Sequence, residues 1–318
     1  MARVPTRSSS AAPAASPAAS SLNAATASSP NAAAGTARRR SAGAAARSRR
    51  SADSSPVALA ATLRAGLRAR RQLFGSWMSI GHPEIAAIFA AGRGDFLGID
   101  LEHSTIDLST AQQIIRVCHE HRRACLPRIF PGQLEHLRRL LDAGADGVIL
   151  PMVFTRDDVD RANQLLRYPP EGKRSFGVAA AQGYGRTFDA YVRQANASLV
   201  LIAQVETAAA VDNIDDILAH PAIDGIMVGP YDLSGSLGLP GQLTHPRVVE
   251  ACQRVVRACA RKNISCGMHL VYPKLADVKR QIAAGFTFLL LGSDIFNLWQ
   301  RSLETDAIID ATQPRPAA

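Results

Sequence analysis

The chain has 318 residues, and its formal charge of +9 lies almost wholly at its start: Met1 to Ala52 hold eight arginines and no acid, and the remaining 28 basic residues face 27 acidic ones. That balance excludes nucleic acid and a membrane surface as partners of the folded part and points to a small molecule. No apolar run reaches the ~20 residues of a membrane span, the five cysteines form no CxxC pair and read as reduced thiols of a cytoplasmic protein, and none of the four lysines (Lys173, Lys262, Lys274, Lys279) ends a predicted strand, which argues against Schiff-base chemistry.

Residues 1–55 are Ala, Ser, Pro and Arg without hydrophobic period, a composition expected to be disordered. They lack the apolar core of a secretory signal, although an Arg- and Ser-rich, acid-poor leader is also the composition of an organelle transit peptide. The folded domain is expected over 56–318. It opens with VALAATLRAGLRARR, an amphipathic helix, and then alternates. Strands are predicted at Phe74–Ile80, Phe96–Asp100, Ala124–Arg128, Gly147–Pro151, Leu199–Val205, Gly225–Gly229, Cys266–Leu270 and Phe286–Leu291. A helical stretch follows each, TAAAVDNIDDILAH after the fifth and DIFNLWQRSLETDAIID after the last. Eight βα units over about 250 residues make a single α/β domain, a (β/α)8 TIM barrel. One connection, 167–197, is too long for a turn. Its GVAAAQGYGRTF piece is rich in Gly and aromatics, and a long loop in a compact domain is usually functional, so it is expected to cover the site.

The active site of such a barrel is assembled from the carboxyl ends of its strands. The fifth and sixth strands form a βαβ unit, so Glu206 and Asp232 emerge on one rim. Either acid alone reads as the cap of the next helix. The pair, with Gln204 on the same apolar strand and a Gly229-Pro230 loop whose backbone N–H groups lie open, points to a hard divalent cation. The second strand delivers Asp100, Glu102 and His103, and the third ends in Arg128, the only charge in ACLPRI. His119 and His121 sit at a helix end and His245 at a helix start, whereas His269 on the seventh strand also faces the pocket. His103 is preferred as acid/base because Asp100 and Glu102 flank it. A metal site, a cationic oxyanion stabiliser and a histidine together are a set for enolate chemistry.

IDLEH at Ile99–His103, PRI around Arg128, AGADGVILPMV at Ala143–Val153, YPPEGKRSFG at Tyr168–Gly177, QVET at Gln204–Thr207 and GPYDLSGSLG at Gly229–Gly238 occur in that order. From about Gln72 to Leu303 the chain thereby resembles the HpcH/HpaI aldolase family. The resemblance implies a class II, metal-dependent pyruvate aldolase that cleaves a 4-hydroxy-2-oxo acid or a 2-keto-3-deoxy sugar acid reversibly to pyruvate and an aldehyde, through an enolate chelated by the metal. The related alternative is a citrate-lyase-like or decarboxylating enzyme on another oxo acid; a non-catalytic oxo-acid-binding protein is a third, more distant reading. By resemblance Glu206 and Asp232 bind magnesium or manganese, with cobalt or zinc as further candidates, and Arg128 holds the keto oxygen. Gln204 lines the site, Gly229, Pro230, Tyr231 and Asp232 receive the substrate carboxylate, and His103 paired with Asp100 is the base. It also implies a homo-oligomer built from dimers, hexameric in the fullest case, with the last helix packed on a neighbour. Ala180, where many relatives carry an arginine, and Tyr231, where a smaller residue is common, leave the aldehyde open.

Overall fold

Eight parallel strands pair in sequence order and the eighth returns to the first, closing a barrel. They are β1 (Leu73–Met78), β2 (Phe96–Asp100), β3 (Ala124–Arg128), β4 (Gly147–Leu150), β5 (Val200–Val205), β6 (Gly225–Val228), β7 (Ser265–Leu270) and β8 (Phe288–Ser293). The helices are α1 (Ala58–Arg68), α2 (Pro83–Ala90), α3 (Leu108–Glu120), α4 (Glu135–Ala143), α5 (Arg156–Leu166), α6 (Phe188–Ser198), α7 (Ala208–Asp212), α8 (Ile214–Ile217), α9 (Pro230–Ser236), α10 (Pro246–Arg261), α11 (Leu275–Ala283) and α12 (Asp294–Thr312). This is a computed structural model; it describes residues 57–130 and 132–313, and the extension expected over 1–55 lies outside them. No described helix is long and apolar enough to cross a membrane.

Period-two alternation sends every second strand residue inward. The interior is a packed cluster of Leu73, Trp77, Phe96, Ala124, Leu126, Ile149, Val200, Ile202, Met227, Phe288 and Leu290. Three glycines make room for its aromatics: a Cβ on Gly75 would lie 2.8 Å from the Phe96 ring, one on Gly98 2.7 Å from the Trp77 ring, and one on Gly267 2.2 Å from Phe288. Leu63 and Leu67 of α1 join the same cluster, so the first amphipathic helix plugs the amino end of the barrel. It is latched there by Arg64 and Arg68, whose Nε atoms lie 2.9 and 2.7 Å from Asp224 Oδ1. The outer faces of the strands pack on Ile114, Ile115, Leu137, Leu140, Val159 and their neighbours on the surrounding helices. One step beyond the apolar interior, at the carboxyl ends, the inward positions turn polar: Asp100, Arg128, Gln204 and His269. Strand register sets Asp100 directly beside Arg128.

Two expectations are corrected and one short helix is added. TAAAVDNIDDILAH is two short helices, α7 and α8, broken at Asn213, whose side chain donates to Phe154 O at 3.0 Å. GPYDLSGS continues past its tight turn into α9, with Pro230 in the first turn. The long 167–197 connection does not cover the site. It joins the end of a helix to the start of a strand, which places it at the barrel's amino end. There Arg174 pairs with Asp142 near the end of α4 (2.6 Å) and stacks over the Tyr168 ring, and Asn196 Nδ2 donates to Tyr168 O at 2.9 Å.

Candidate active site

Arg128 is the centre of the polar layer. Its Nε and Nη2 donate to Asp100 Oδ1 and Oδ2 at 3.0 and 2.8 Å, a bidentate pair, and Nε also lies 3.1 Å from Glu102 Oε2. The guanidinium carbon sits 4.8 Å above the Trp77 ring. None of these contacts engages Nη1. Planar, stacked and clamped on its Nε–Nη2 edge, the guanidinium keeps 11% of its side chain exposed at the rim.

This arrangement changes the part expected of Asp100. Both its oxygens face Arg128, and Oδ1 also accepts the backbone N–H groups of Glu102 (3.1 Å) and His103 (3.2 Å). The carboxylate therefore shapes the loop that carries His103 but does not touch its ring. The ring is largely exposed, with Nε2 3.9 Å from Glu102 Oε1. His269 lies deeper, stacked on Trp77 at 5.6 Å with Nε2 3.1 Å from Gly292 O, and burial pulls its pKa down to about 4, so it is neutral at ordinary pH.

Glu206 follows the end of β5 and is 3 % exposed. Its Oε1 accepts the Met152 N–H at 2.7 Å, and its Oε2 accepts from Gln204 Nε2. Met152 holds φ at +51°, a left-handed conformation uncommon for a side chain of its size, and this turns its N–H towards the acid. Gly229 lies against the same group, since a Cβ there would stand 2.9 Å from Glu206 Oε2. Asp232 follows in the first turn of α9, and Tyr231 beside it is exposed, as Asp232 is. Burial raises the pKa of Glu206, and Asp232 raises it further against the pull of its hydrogen bonds. Burial likewise raises Glu102, with Arg128 opposing.

Three carboxylates, Asp100, Glu102 and Glu206, thus interact with one arginine, and Asp232 adds a fourth negative charge beside Glu206. Gln204 Oε1 is buried without a hydrogen bond, and Glu102 Oε2 has its ion pair with Arg128 but no hydrogen bond. Excess negative charge and an orphaned amide oxygen are what a divalent cation would satisfy, and the donor set is of hard oxygens. Among the described residues no three His, Cys, Asp or Glu side chains gather into a fuller metal shell. Glu206 and Asp232 would therefore leave positions open for substrate and water. Sequence reasoning missed Trp77 and the Met152 N–H. Both act through tertiary neighbours, and the one local sign is the inward parity of Trp77 on β1.

Residues 73–300 match the family described as HpcH/HpaI aldolase/citrate lyase. A 5-keto-4-deoxy-D-glucarate aldolase from Shigella dysenteriae is 32% identical over 232 residues, covering 73% of this chain and 90% of that protein. Among solved structures, an HpcH/HpaI aldolase/citrate lyase family protein from Burkholderia cenocepacia is 30% identical with a TM-score of 0.74, covering 78% of this chain and 99% of its own. The citrate synthase SbnG is 26% identical with a TM-score of 0.69, covering 80% and 99%. The match over most of the barrel, including every strand and the acidic rim, makes this chain a member of the HpcH/HpaI aldolase/citrate lyase family and a carbon–carbon lyase.

Proposed function

We propose that the chain cleaves a 4-hydroxy-2-oxo acid, of which a 2-keto-3-deoxy sugar acid is one kind, reversibly into pyruvate and an aldehyde, with Mg2+ or Mn2+ held by Glu206 and Asp232. The observation that carries this reading is Arg128, clamped on its Nε–Nη2 edge by Asp100 and Glu102 on the same rim as the two proposed metal ligands. When bound, the divalent cation supplies a Lewis acid that draws charge onto the 2-oxo group, worth several kcal/mol. In cleavage, His103 takes the proton of the C4 hydroxyl, the C3–C4 bond breaks and the aldehyde leaves. The electron pair moves towards the C2 oxygen, where Arg128 Nη1 donates to the growing charge. His103 then gives that proton to C3, which completes pyruvate and restores the neutral ring. The backbone N–H groups of Tyr231 and Asp232, at the start of α9, face the substrate carboxylate, with Gly229 and Pro230 forming the turn, and Gln204 lines the floor. The Shigella relative supports a sugar-acid substrate by its name, and the SbnG likeness supports the alternative of citrate-type chemistry on another oxo acid. Metal-dependent release of pyruvate across a panel of hydroxy-oxo acids decides between them, and no pyruvate from any member overturns the first.

Arg128→Lys keeps a charge but loses the fork and the stack on Trp77. We expect about a 10²-fold loss in kcat, against no change for the exposed Arg93→Lys; equal turnover in both places Arg128 outside the reaction.

The chain is proposed to work as a homo-oligomer built from dimers. Along α12 only Asp294 is buried, while Ile295, Leu298, Trp299, Leu303, Ile308 and Ile309 are all substantially exposed, and α11 buries no residue at all. An apolar face of that length on a helix needs a partner, and a second copy supplies one by symmetry. Leu298→Glu combined with Leu303→Glu should give a monomer in sedimentation; an unchanged mass rejects α12 as the contact.

A further inference from the structure

The barrel closes where β8 meets β1, and that seam is irregular at the rim beside Arg128. Pairing runs from Leu73↔Phe288 to Gly75↔Leu290 and then jumps to Trp77↔Ser293, so β8 spends one residue more than β1 over the same stretch. Gly292, at φ +69°, takes up the bulge in a conformation that suits glycine. Past the bulge a side chain holds the two strand ends together. Asp294, 3 % exposed, accepts the Ser79 N–H on both oxygens at 3.0 Å and the Ile80 N–H on Oδ2 at 2.7 Å, while Oδ1 also takes the Ile295 N–H at 2.8 Å.

An acid in the first turn of a helix ordinarily serves that helix's own N–H groups. Here three of the four bonds go to the segment that leaves β1. A carboxylate is buried only where such bonds offset its desolvation, so this one defines where the β1 rim lies. Two residues back along that rim is Trp77. Its ring carries the Arg128 guanidinium on one side, at 4.8 Å, and stacks on His269 at 5.6 Å; His269 Nε2 in turn reaches the carbonyl of the bulged Gly292 at 3.1 Å. Arg128 is therefore held from two directions, by Asp100 and Glu102 along its edge and by Trp77 on its face. The second support hangs on the β1–β8 seam.

We infer that Asp294 is a positioning residue for Arg128, acting through the β1 rim and Trp77. The activity readout rests on the lyase reading above; the spectroscopic one does not. The chain holds two tryptophans, so Trp299→Phe leaves Trp77 as the sole indole reporter. In that background Asp294→Asn keeps the side chain's size but sets an amide NH2 against N–H donors. The native-state emission of Trp77 should shift, and kcat for pyruvate release should fall about ten- to hundredfold with KM changed less than about twofold, since the group displaced acts on the developing charge. Trp77→Phe should show a comparable loss, and the double variant should be no slower than the slower single one, because both act through one contact. Should Asp294→Asn fail to fold, Asp294→Glu retains the charge with its oxygens displaced and is read the same way. An unmoved Trp77 emission with unaltered kcat and a lowered Tm makes Asp294 a stability clip and overturns the inference, as do losses that multiply. If the parent protein releases no pyruvate from any substrate, the reading of function fails, while the Trp77 emission still decides whether Asp294 sets that ring.

Discussion

Glu206→Gln should yield a folded barrel that no longer responds to divalent metal. The amide has nearly the shape of the acid, so the barrel and the Met152 turn are retained, but it brings no charge to a site where charge holds the cation. Loss of the metal removes a principal stabiliser of the developing oxyanion, so turnover should drop by at least about 10²–10³-fold, with Asp232→Asn close behind. The pH dependence gives a second readout. Burial raises the pKa of Glu206 and Glu102 above the ordinary 4.5, so between that value and the raised ones the folded state binds more protons than the unfolded chain. Stability of the metal-free protein should therefore fall as pH rises through that window. Metal binding requires the ionised carboxylate and favours the folded state, so the gain in Tm on adding Mg2+ or Mn2+ should be larger at pH 8 than at pH 5. Thermal unfolding with metal and with chelator measures both, and Glu206→Gln should lose the metal-induced gain. A chelated wild-type enzyme with full turnover would end the metal-dependent reading.

The eight strands are legible in the sequence because each is a short aliphatic run between turn signals, and the polar layer is legible because the inward parity of β3, Ala124 then Leu126, continues to Arg128. Chemistry at strand ends follows from the barrel alone. Partner choice does not. Asp100 lies three residues from His103 and 28 from Arg128, yet both carboxylate oxygens turn to the arginine, because a bidentate guanidinium pair inside the rim outweighs a contact with an exposed ring. Met152 enters the site through its backbone N–H, which no side-chain pattern announces. The 167–197 segment was read by composition, Gly-rich and aromatic, when its topology, helix end to strand start, already set it at the amino end. Nothing in the sequence singles out Asp294, because only the closure of β8 on β1 turns it towards Ser79 and Ile80.

His103→Ala should separate proton transfer from metal binding. The ring is exposed at the rim, with Glu102 3.9 Å away as the nearest charged group, and neither residue is a proposed ligand. If His103 moves the proton, its removal slows aldol cleavage and the exchange of pyruvate methyl protons with solvent alike, by about 10²–10⁴-fold, while the metal-induced gain in Tm survives. Asp100→Asn is expected to differ in kind. Its oxygens hold Arg128 and the 102–103 backbone, so its defect should resemble a loosened Arg128, with cleavage reduced more than exchange. Deuterium uptake into pyruvate at saturating metal measures the proton step on its own. Wild-type uptake in His103→Ala would move the base elsewhere. His269 is next in line, but burial holds it neutral with Nε2 committed to Gly292 O and its face on Trp77, so taking that role would require it to leave the stack that supports Arg128.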